Sequence, residues 1–596
     1  MKIVLVGINA KYIHTNLALL YLSRIGRDRL ADFEAVEYTV NQNTDDILRH
    51  LYRKKPDVVL FSCYLWNIEY VEWISRDLIR LLPDLQIWLG GPEVSHEPQA
   101  ELLRLPYVKG ILLGEGEATF AALCTHWADK EAELLQANQT SPAGRLSDAV
   151  LAGIPGLCYR PQGTGDPVFS PPRPPMDFSE VLFPYSELNM EDFRNKLVYY
   201  ESSRGCPFSC SYCLSSVDKR LRFRSLKQVC RELQFFLDHR VAQVKFIDRT
   251  FNCHHERTKA IWRYLAEHDN GLTNFHFEVA ADLLDEEEIR ILAGLRPGQV
   301  QLEIGVQSIH EQTLTAVNRR MDIDRVEANV LAIGRGHNVH QHLDLIIGLP
   351  YEDVEGFAAS FNRLYKMRPS QLQLGFLKVL KGTAVAAAAD EFGILYHRRP
   401  PYEVLQTRWL EFDQIIGLKQ IEEAVETFYN SGQFTTLLAA AEGLFETPWQ
   451  LYLDLGAAYQ AARAGFRAHS RQALYELLIN WLQPHWPWEQ EKLASIALYD
   501  LYLRENLKSR PAFAPDEGQT KALRHRFYER EAEERSYLTA LVYAGKTAAQ
   551  LGRMTHLEAF WRQSDNGWQR QWVLFDYTNR DPLSGNAFVT VVDVEA

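Results

Sequence analysis

The chain contains no apolar run approaching membrane-spanning length and no low-complexity tract. Those absences exclude a membrane-embedded body and extended disorder, and leave ordinary globular folding as the expectation. Its first residues, MKIVLVGINA, lack the longer apolar segment and small-residue cleavage site of a secretory signal, so a cytoplasmic location is expected. Cysteine is scarce, eight in 596 residues, and in a reducing compartment clustered thiols read as metal or redox ligands rather than disulfides. Positive charge is also short. The net charge of −13 argues against a broad nucleic-acid surface. The one dense basic stretch near the clustered cysteines, DKRLRFRS at 218–225, reads as a solvated loop with snorkelling side chains. At this length one hydrophobic core does not suffice, and two to four domains are expected.

Residues 1–130 alternate short apolar strands (KIVLVG, EAVEY, DVVLFS, QIWLGG, GILLG) with helix-length segments. Strands apolar on both faces belong to a parallel sheet covered by helices, the doubly wound (Rossmann or flavodoxin-like) pattern. Such sheets bind ligands at the carboxyl ends of their strands. Here those ends carry Asn9 to Asn16, Ser62 to Trp66, Gly90-Gly91-Pro92-Glu93 and Gly114-Glu115-Gly116-Glu117. Glycines there either let a large flat ligand approach the backbone or simply make tight turns. Residues 131–190, rich in turn formers and proline (QTSPAGR, RPQGTGDPVFSPPRPP), read as a linker with a small hairpin around GLCYR and PVF. From 191 to 385 a second alternation of six strands and crossover helices suggests an incomplete (β/α)6 barrel, since a full one needs eight strands. Residues 386–596 read as mainly helical and aromatic-rich, closing on a two-stranded unit around WQRQWVLFDY and AFVTVV.

Within the barrel segment, alternation places Glu303, Gly305 and Gln307 on one strand face, His340, His342 and Asp344 on another, and His276, Glu278, Ala280 and Asp282 on a third. The opposite faces are apolar and pack on helices, so the polar faces point inward. A polar lumen reads as a binding cavity, where a closed barrel would carry branched apolar residues. Any one of these groups alone is equally well a satisfied buried hydrogen-bond partner.

Three of the eight cysteines, Cys206, Cys210 and Cys213, fall in the stretch ESSRGCPFSCSYCLSS, directly after the first strand of the barrel segment. A structural zinc site wants four closed ligands, and Cys230 and Cys253 follow only at irregular distances. A cubane cluster normally takes four cysteines; three leave one iron open to bind and activate a small molecule. A non-catalytic zinc-binding or regulatory protein, using Cys230 or Cys253 as fourth ligand, is the reading of another class.

The C-x3-C-x2-C spacing, with Tyr212 before the last cysteine and a barrel strand before the first, closely resembles the radical S-adenosylmethionine (SAM) superfamily. The resemblance implies that Cys206, Cys210 and Cys213 hold a 4Fe-4S cluster whose open iron chelates SAM. It implies reductive cleavage of SAM to a 5′-deoxyadenosyl radical, with electrons from a flavodoxin- or ferredoxin-type reductase. It also places the Tyr212 backbone near the adenine, and SAM-binding groups at strand ends, here Asp248 and Asn252, then Glu303, Gln307 and Ser308, then Ile346 and Gly348. Departures are visible: the glycine-rich pair that binds the methionine amino group is replaced by Ile247-Asp248-Arg249, and Asp344 and Glu352 alter the fifth-strand pattern. The preceding doubly wound domain, with GGPE and GEGEATF, resembles the cobalamin-binding domain of the B12-dependent radical SAM group. That implies cobalamin contacts from Ser62, Gly90, Gly91, Glu93, Gly114, Glu115, Gly116 and Glu117. The usual D-x-H-x-x-G loop reads NAKYIHTNL, with Tyr12 for the aspartate and Leu17 for the glycine, so His14 is expected to pack rather than ligate cobalt. The tail, with FLKVLKGT before it and PPYEVLQTRWLEF at its start, resembles the uncharacterised C-terminal extension of one branch of this group. The implied activity is C-methylation of an unactivated carbon in a small molecule or peptide, with cyclisation or rearrangement as the alternative. His340, His342, Glu278 and Asp282 are the candidates for orienting substrate or moving protons; neither membrane nor nucleic acid is an expected partner.

Overall fold

Successive residues of β1 (Lys2–Asn9) enter different cores. Val4, Val6 and Ile8 join one cluster and Ile3 and Leu5 another, because side chains alternate across a strand and helices cover both faces. In this computed structural model β1 is flanked by β2 (Asp32–Thr39) and β3 (Val58–Ser62), followed by β4 (Gln86–Gly90) and β5 (Val108–Leu112). Pairing is parallel throughout these five, and the order β2-β1-β3-β4-β5 opens a crevice where the winding reverses beside β1. The structure describes residues 1–136, 145–163, 165–216, 219–463, 470–516, 520–564 and 567–594.

The segment expected to be a linker does more than connect. Its hairpin, β6 (Leu157–Tyr159) and β7 (Val168–Phe169), adds antiparallel to the edge of the first sheet and makes it seven-stranded. The edge of β5 is thereby closed, with Leu157, Cys158 and Tyr159 buried. Most of the QTSPAGR stretch lies outside the described residues.

The second alternation supplies β8 (Val198–Tyr200), a ribbon of β9 (Ser203–Arg204) and β10 (Arg222–Phe223), then β11 (Gln243–Phe246), β12 (Asn274–Val279), β13 (Val300–Gln307), β14 (Val339–Ile347) and β15 (Gln371–Phe376). Apart from the ribbon, the six strands alternate with helices in chain order, the α/β pattern expected; β8, β11 and β12 pair in parallel, and so do β14 and β15. Crossover helices begin where the sequence signals them: Ser225 and Gln228 form a capping box before Leu226–Asp238, and Asp285 and Glu288 another before Glu286–Ala293.

The chain folds as two compact units. One comprises Met1–Gln301, Thr315–Arg320 and Leu377–Arg408; the other Leu302–Leu314, Met321–Phe376 and Trp409–Ala596. The boundary expected at 385/386 therefore falls inside a segment, Leu377–Arg408, that packs as part of the first unit. That segment contains the short ribbon β16 (Leu395–Tyr396) and β17 (Val404–Gln406).

In the second unit the helices after Phe412 end on an antiparallel sheet of three strands, not two: β18 (Thr555–Ser564), β19 (Gly567–Arg580) and β20 (Ala587–Val592). β18 escaped the sequence reading because Leu557 and Phe560, both fully buried, have helix-like spacing. They feed separate cores on opposite faces of the strand. No helix among the described residues is long and apolar enough to cross a membrane.

Candidate functional site

The cysteine loop leaves β8 through Glu201–Arg204 and turns at Gly205, whose φ of +91° only glycine adopts freely. Cys206 and Cys210 are buried and Cys213 partly so. Two other segments of the same unit, Thr315–Arg320 and Leu377–Arg408, hold the loop. Ser211 N–H donates to Val317 O (2.9 Å), Val385 N–H donates to Ser211 O (2.9 Å), and the Asn318 amide donates to Ser209 O (3.1 Å). Arg319 donates through Nη1 to Cys210 Sγ (3.6 Å) and to the Tyr212 hydroxyl (3.4 Å). Burial pushes the Cys206 thiol up, with Thr250 Oγ1 at 3.8 Å opposing the shift.

A single zinc ion holds each thiolate at about 2.3 Å, which confines them to within ~4.6 Å of one another. Among the described residues the one group of metal-ligating atoms that converges within 4.8 Å is His255, Asp285 and Glu288. The cysteines, with or without Cys253, are more widely spread, as thiolates on separate irons of a cluster must be. The cationic donor on Cys210 suits sulfur that carries negative charge. Three thiols on one loop, one of them under a cationic donor, fit a cluster.

Asp248 is almost fully buried. Its carboxylate accepts from Ser202 N–H (2.9 Å), Ser202 Oγ (2.7 Å) and Ser203 Oγ, so it fastens the backbone leading into the cysteine loop. Asn252 clasps Ala280 through both polar atoms (2.8 and 2.9 Å). This clasp ends β12 at Val279, and the following Ala281–Leu283 turn carries Asp282 off the strand. The face expected to run from His276 through Asp282 therefore stops at Glu278.

Carboxyl ends of the first sheet and of the barrel strands β8, β11 and β12 surround a cavity of about 520 Å3 in the first unit. Its lining includes Asn9, His14, Tyr64, Trp66, Glu117, Glu201, Arg204, Lys245, Arg249 and Glu278. Tyr64 and Trp66 stack at 4.4 Å, nearly parallel, and form a flat aromatic wall. His14 stacks on Tyr199 and shares a 2.8 Å hydrogen bond with its hydroxyl through Nδ1. Burial, helped by Lys11 and Lys245, lowers the His14 pKa.

The glycines divide by use. A Cβ on Gly91 (φ +117°) would lie 2.4 Å from Cys63 O, so this glycine serves the close approach of two strand-end loops. Gly90 has only Leu112 nearby, and no atom lies within 4 Å of a Cβ on Gly114 or Gly116. That backbone is open for a large flat ligand. With the aromatic wall and the adjoining cavity, the open glycines fit a corrin. Ser62 ends β3, its carbonyl accepting from Asn67.

The acidic residues of these loops face protein. Glu93 is buried and accepts from the Tyr402 hydroxyl and from Lys381 Nζ (3.0 Å), which also reaches Glu101 (2.8 Å). Glu115 and Glu117 pair with Arg204, and Glu115 also with Arg222 (2.8 Å). The basic stretch read as a solvated loop is thus largely scaffold. Arg222 is mostly buried, and Arg224 is 1% exposed, bonded to Glu232, Val181 O and Glu201 O. Sequence reasoning missed Arg204, Arg222, Arg319 and Lys381; the position of Arg204 immediately before Gly205-Cys206 was the available signal.

In the second unit, Glu303 and Gln307 share a face of β13, and His340, His342, Asp344 and Ile346 share a face of β14. His342 Nε2 lies 3.0 Å from Asp344 Oδ1. Gly348 has φ +90°. Ser308 Oγ donates to Glu352 Oε1 (2.6 Å), as does Ser360 Oγ (3.0 Å). Burial pushes the Glu352 carboxyl up to about 7. A carboxyl raised in the fold binds its proton more tightly there than when unfolded, so its contribution is complete below its unfolded pKa of about 4.3 and vanishes as pH rises through about 7. Glu352→Gln is expected to abolish a stability loss on the order of 3–4 kcal/mol across that window, measured as urea midpoints against pH.

Three family models match the chain: the B12 binding domain over residues 3–124, the radical SAM superfamily over 200–364, and a protein of unknown function (DUF4080) over 390–575. The chain belongs to the B12-binding-domain-containing radical SAM family, in the branch with the DUF4080 extension. An uncharacterised methyltransferase of Pyrococcus horikoshii is 27% identical over 250 residues, covering 40% of this chain and 50% of the relative. The cobalamin-dependent radical SAM methyltransferase TokK of Streptomyces tokunonensis is 28% identical over 323 residues, covering 51% and 44%. The chain thus spans about half the length of the curated relatives it matches. Among solved structures, the cobalamin-dependent SAM radical enzyme OxsB with aqua-cobalamin shares the fold, with a TM-score of 0.53 at 15% identity, over 84% of this chain and 80% of that one.

Proposed function

We propose that this chain is a cobalamin-dependent radical SAM methyltransferase acting on an unactivated carbon. One observation carries the reading: a loop with three thiols at the rim of the first barrel strand, in the same unit as a cavity that the first sheet and the barrel strands line together. The methyltransferases among its relatives support the outcome.

When bound, the cluster and SAM supply a 5′-deoxyadenosyl radical and cobalamin supplies a transferable methyl group. The chain's share is holding, orienting and excluding water. Cys206, Cys210 and Cys213 hold the cluster, and Arg319 stabilises the Cys210 thiolate. Asp248 and Asn252 act one step back, fixing the loop ends on which SAM rests. The open backbone at Gly114 and Gly116 and the Tyr64–Trp66 wall receive the corrin. Lys245, Arg249 and Glu278 face the same cavity and orient a small-molecule or peptide substrate. His340, His342, Asp282, Glu303, Gln307, Ser308, Ile346 and Gly348 stand as further candidates for substrate and SAM contact. The electrons come from a one-electron reductase of flavodoxin or ferredoxin type.

The test is turnover with SAM labelled in its methyl group. Label in a carbon-bound methyl of the product, with 5′-deoxyadenosine formed alongside, is expected. Formation of 5′-deoxyadenosine while no product takes up label refutes methyl transfer and favours cyclisation or rearrangement.

The Tyr199 bond also fixes an expectation for cobalt. His14→Ala should leave the cob(II)alamin paramagnetic resonance spectrum unchanged, without nitrogen hyperfine splitting in either protein. Splitting that disappears with the imidazole contradicts the assignment.

A further inference from the structure

Arg204 stands two residues before the first cluster cysteine, 13% exposed, with carboxylates from two parts of the first unit around it. Its Nε and Nη2 hold Glu201 at 3.0 Å each. The rest of the guanidinium reaches into the loop after β5: Nη1 to Glu115 (3.3 Å), and Nη2 to Glu117. The flat faces are covered as well, with Phe178 at 4.8 Å and Tyr21 at 5.7 Å from the guanidinium carbon. A guanidinium is a rigid planar fork, so moving any of these carboxylates moves the fork or breaks a charge-assisted bond.

Glu115 does a second thing. It also holds Arg222, the residue paired with Arg204 across the β9–β10 ribbon. Arg204 and Arg222 bracket the whole cysteine loop, one just before Gly205 and the other after Cys213. One carboxylate from the first sheet therefore pins both ends of the loop, and its own place is set by Met176 N–H at 2.9 Å. The backbone on either side of Glu115 is the open pair Gly114 and Gly116, where a corrin would lie. Glu117 and Arg204 also line the cavity.

We propose that Arg204 is a positioning residue through which cobalamin on the Gly114–Glu117 loop and SAM at the cysteine loop sense each other. The inference rests on the two-cofactor reading above and adds a coupling to it: a ligand that settles the loop after β5 settles Glu115 and Glu117, these settle Arg204 and Arg222, and the cluster loop is held in one geometry. Two sites joined through one such element influence each other reciprocally, typically by about 5–150-fold.

The experiment uses full-length protein carrying its cluster, under anaerobic conditions. The dissociation constant of SAM is measured with and without saturating hydroxocobalamin, and that of hydroxocobalamin with and without SAM. For the native protein both ratios should agree and exceed about fivefold. Arg204→Gln should bind each ligand but bring both ratios to within about twofold of one, and the SAM-induced change in the reduced cluster's resonance spectrum should no longer depend on cobalamin. Glu115→Gln, which keeps the shape and loosens both arginines, should do the same, and it serves as the test if Arg204→Gln does not fold. Arg204→Lys should restore part of the coupling. Ratios of one in the native protein, or native ratios surviving in Arg204→Gln and in Glu115→Gln, overturn the proposal. A protein that binds both cofactors without coupling still satisfies the proposed function, whereas one that binds no SAM fails both.

Discussion

Alanine at Cys206, Cys210 or Cys213 is expected to reduce iron after anaerobic reconstitution from about four per chain to less than about one. Formation of 5′-deoxyadenosine should fall by more than about a thousandfold, exceeding the 10²–10³ lost with a single transition-state contact, because the redox step itself is removed. The magnitude follows from the donor set. With three thiols the cluster already lacks one protein ligand, and the other five cysteines lie outside the loop. Cys253 is the instructive control. It lies close enough to Cys206 to feel its charge, and burial holds its thiol at about 11. Cys253→Ala should therefore keep its iron. Full iron in a Cys210→Ala protein would show that the loop is not the cluster site.

Asp248→Ala should be the most destabilising single change near the site. It leaves the Ser202 N–H and the hydroxyls of Ser202 and Ser203 buried without their acceptor. Each orphaned donor costs about 1–3 kcal/mol, so the three together cost roughly 3–9 kcal/mol, a large fraction of a typical domain's 5–15 kcal/mol. Asp248→Asn, which keeps one acceptor oxygen, should lose about half as much. Chemical denaturation with iron content measured in parallel checks both. Iron retention should fall with stability, because these serines lead directly into Arg204 and the cysteine loop. An alanine variant within about 1 kcal/mol of the native protein would mean that the loop is held elsewhere.

What could be read from the sequence was what is encoded locally. The cysteine spacing lies within one loop, and the family it resembles is the one the chain belongs to. The first sheet was legible because Ile3 to Val6 and Val58 to Phe61 are apolar on both faces, a pattern with few alternatives. Features set by distant partners were not. β6 and β7, three and two residues long, are too short to show a period, and only an exposed edge gives them a place. Glu93 reads as a loop acid until Lys381 and Tyr402 come to meet it. Arg222 and Arg224 read as solvated cations because their partners, Glu115 and Glu232, lie outside the local pattern. Asp282 keeps the strand alternation in sequence, yet the Asn252 clasp ends the strand before reaching it.

The cofactor-binding expectations divide along the same line. Gly114 and Gly116 are open backbone, whereas Gly91, Glu93, Asp248 and Asn252 hold the protein's own loops. Acidic side chains at strand ends thus build the walls of the site, and open glycines leave room within it.

Cluster assembly and SAM cleavage are measured on the purified protein, kept anaerobic, loaded with iron and sulfide, and reduced by one electron per cluster. Adding SAM should shift the cluster's paramagnetic resonance spectrum, and 5′-deoxyadenosine and methionine should then accumulate. A protein that takes up no iron, or whose reduced cluster has the same spectrum with and without SAM and leaves SAM intact, contradicts the account.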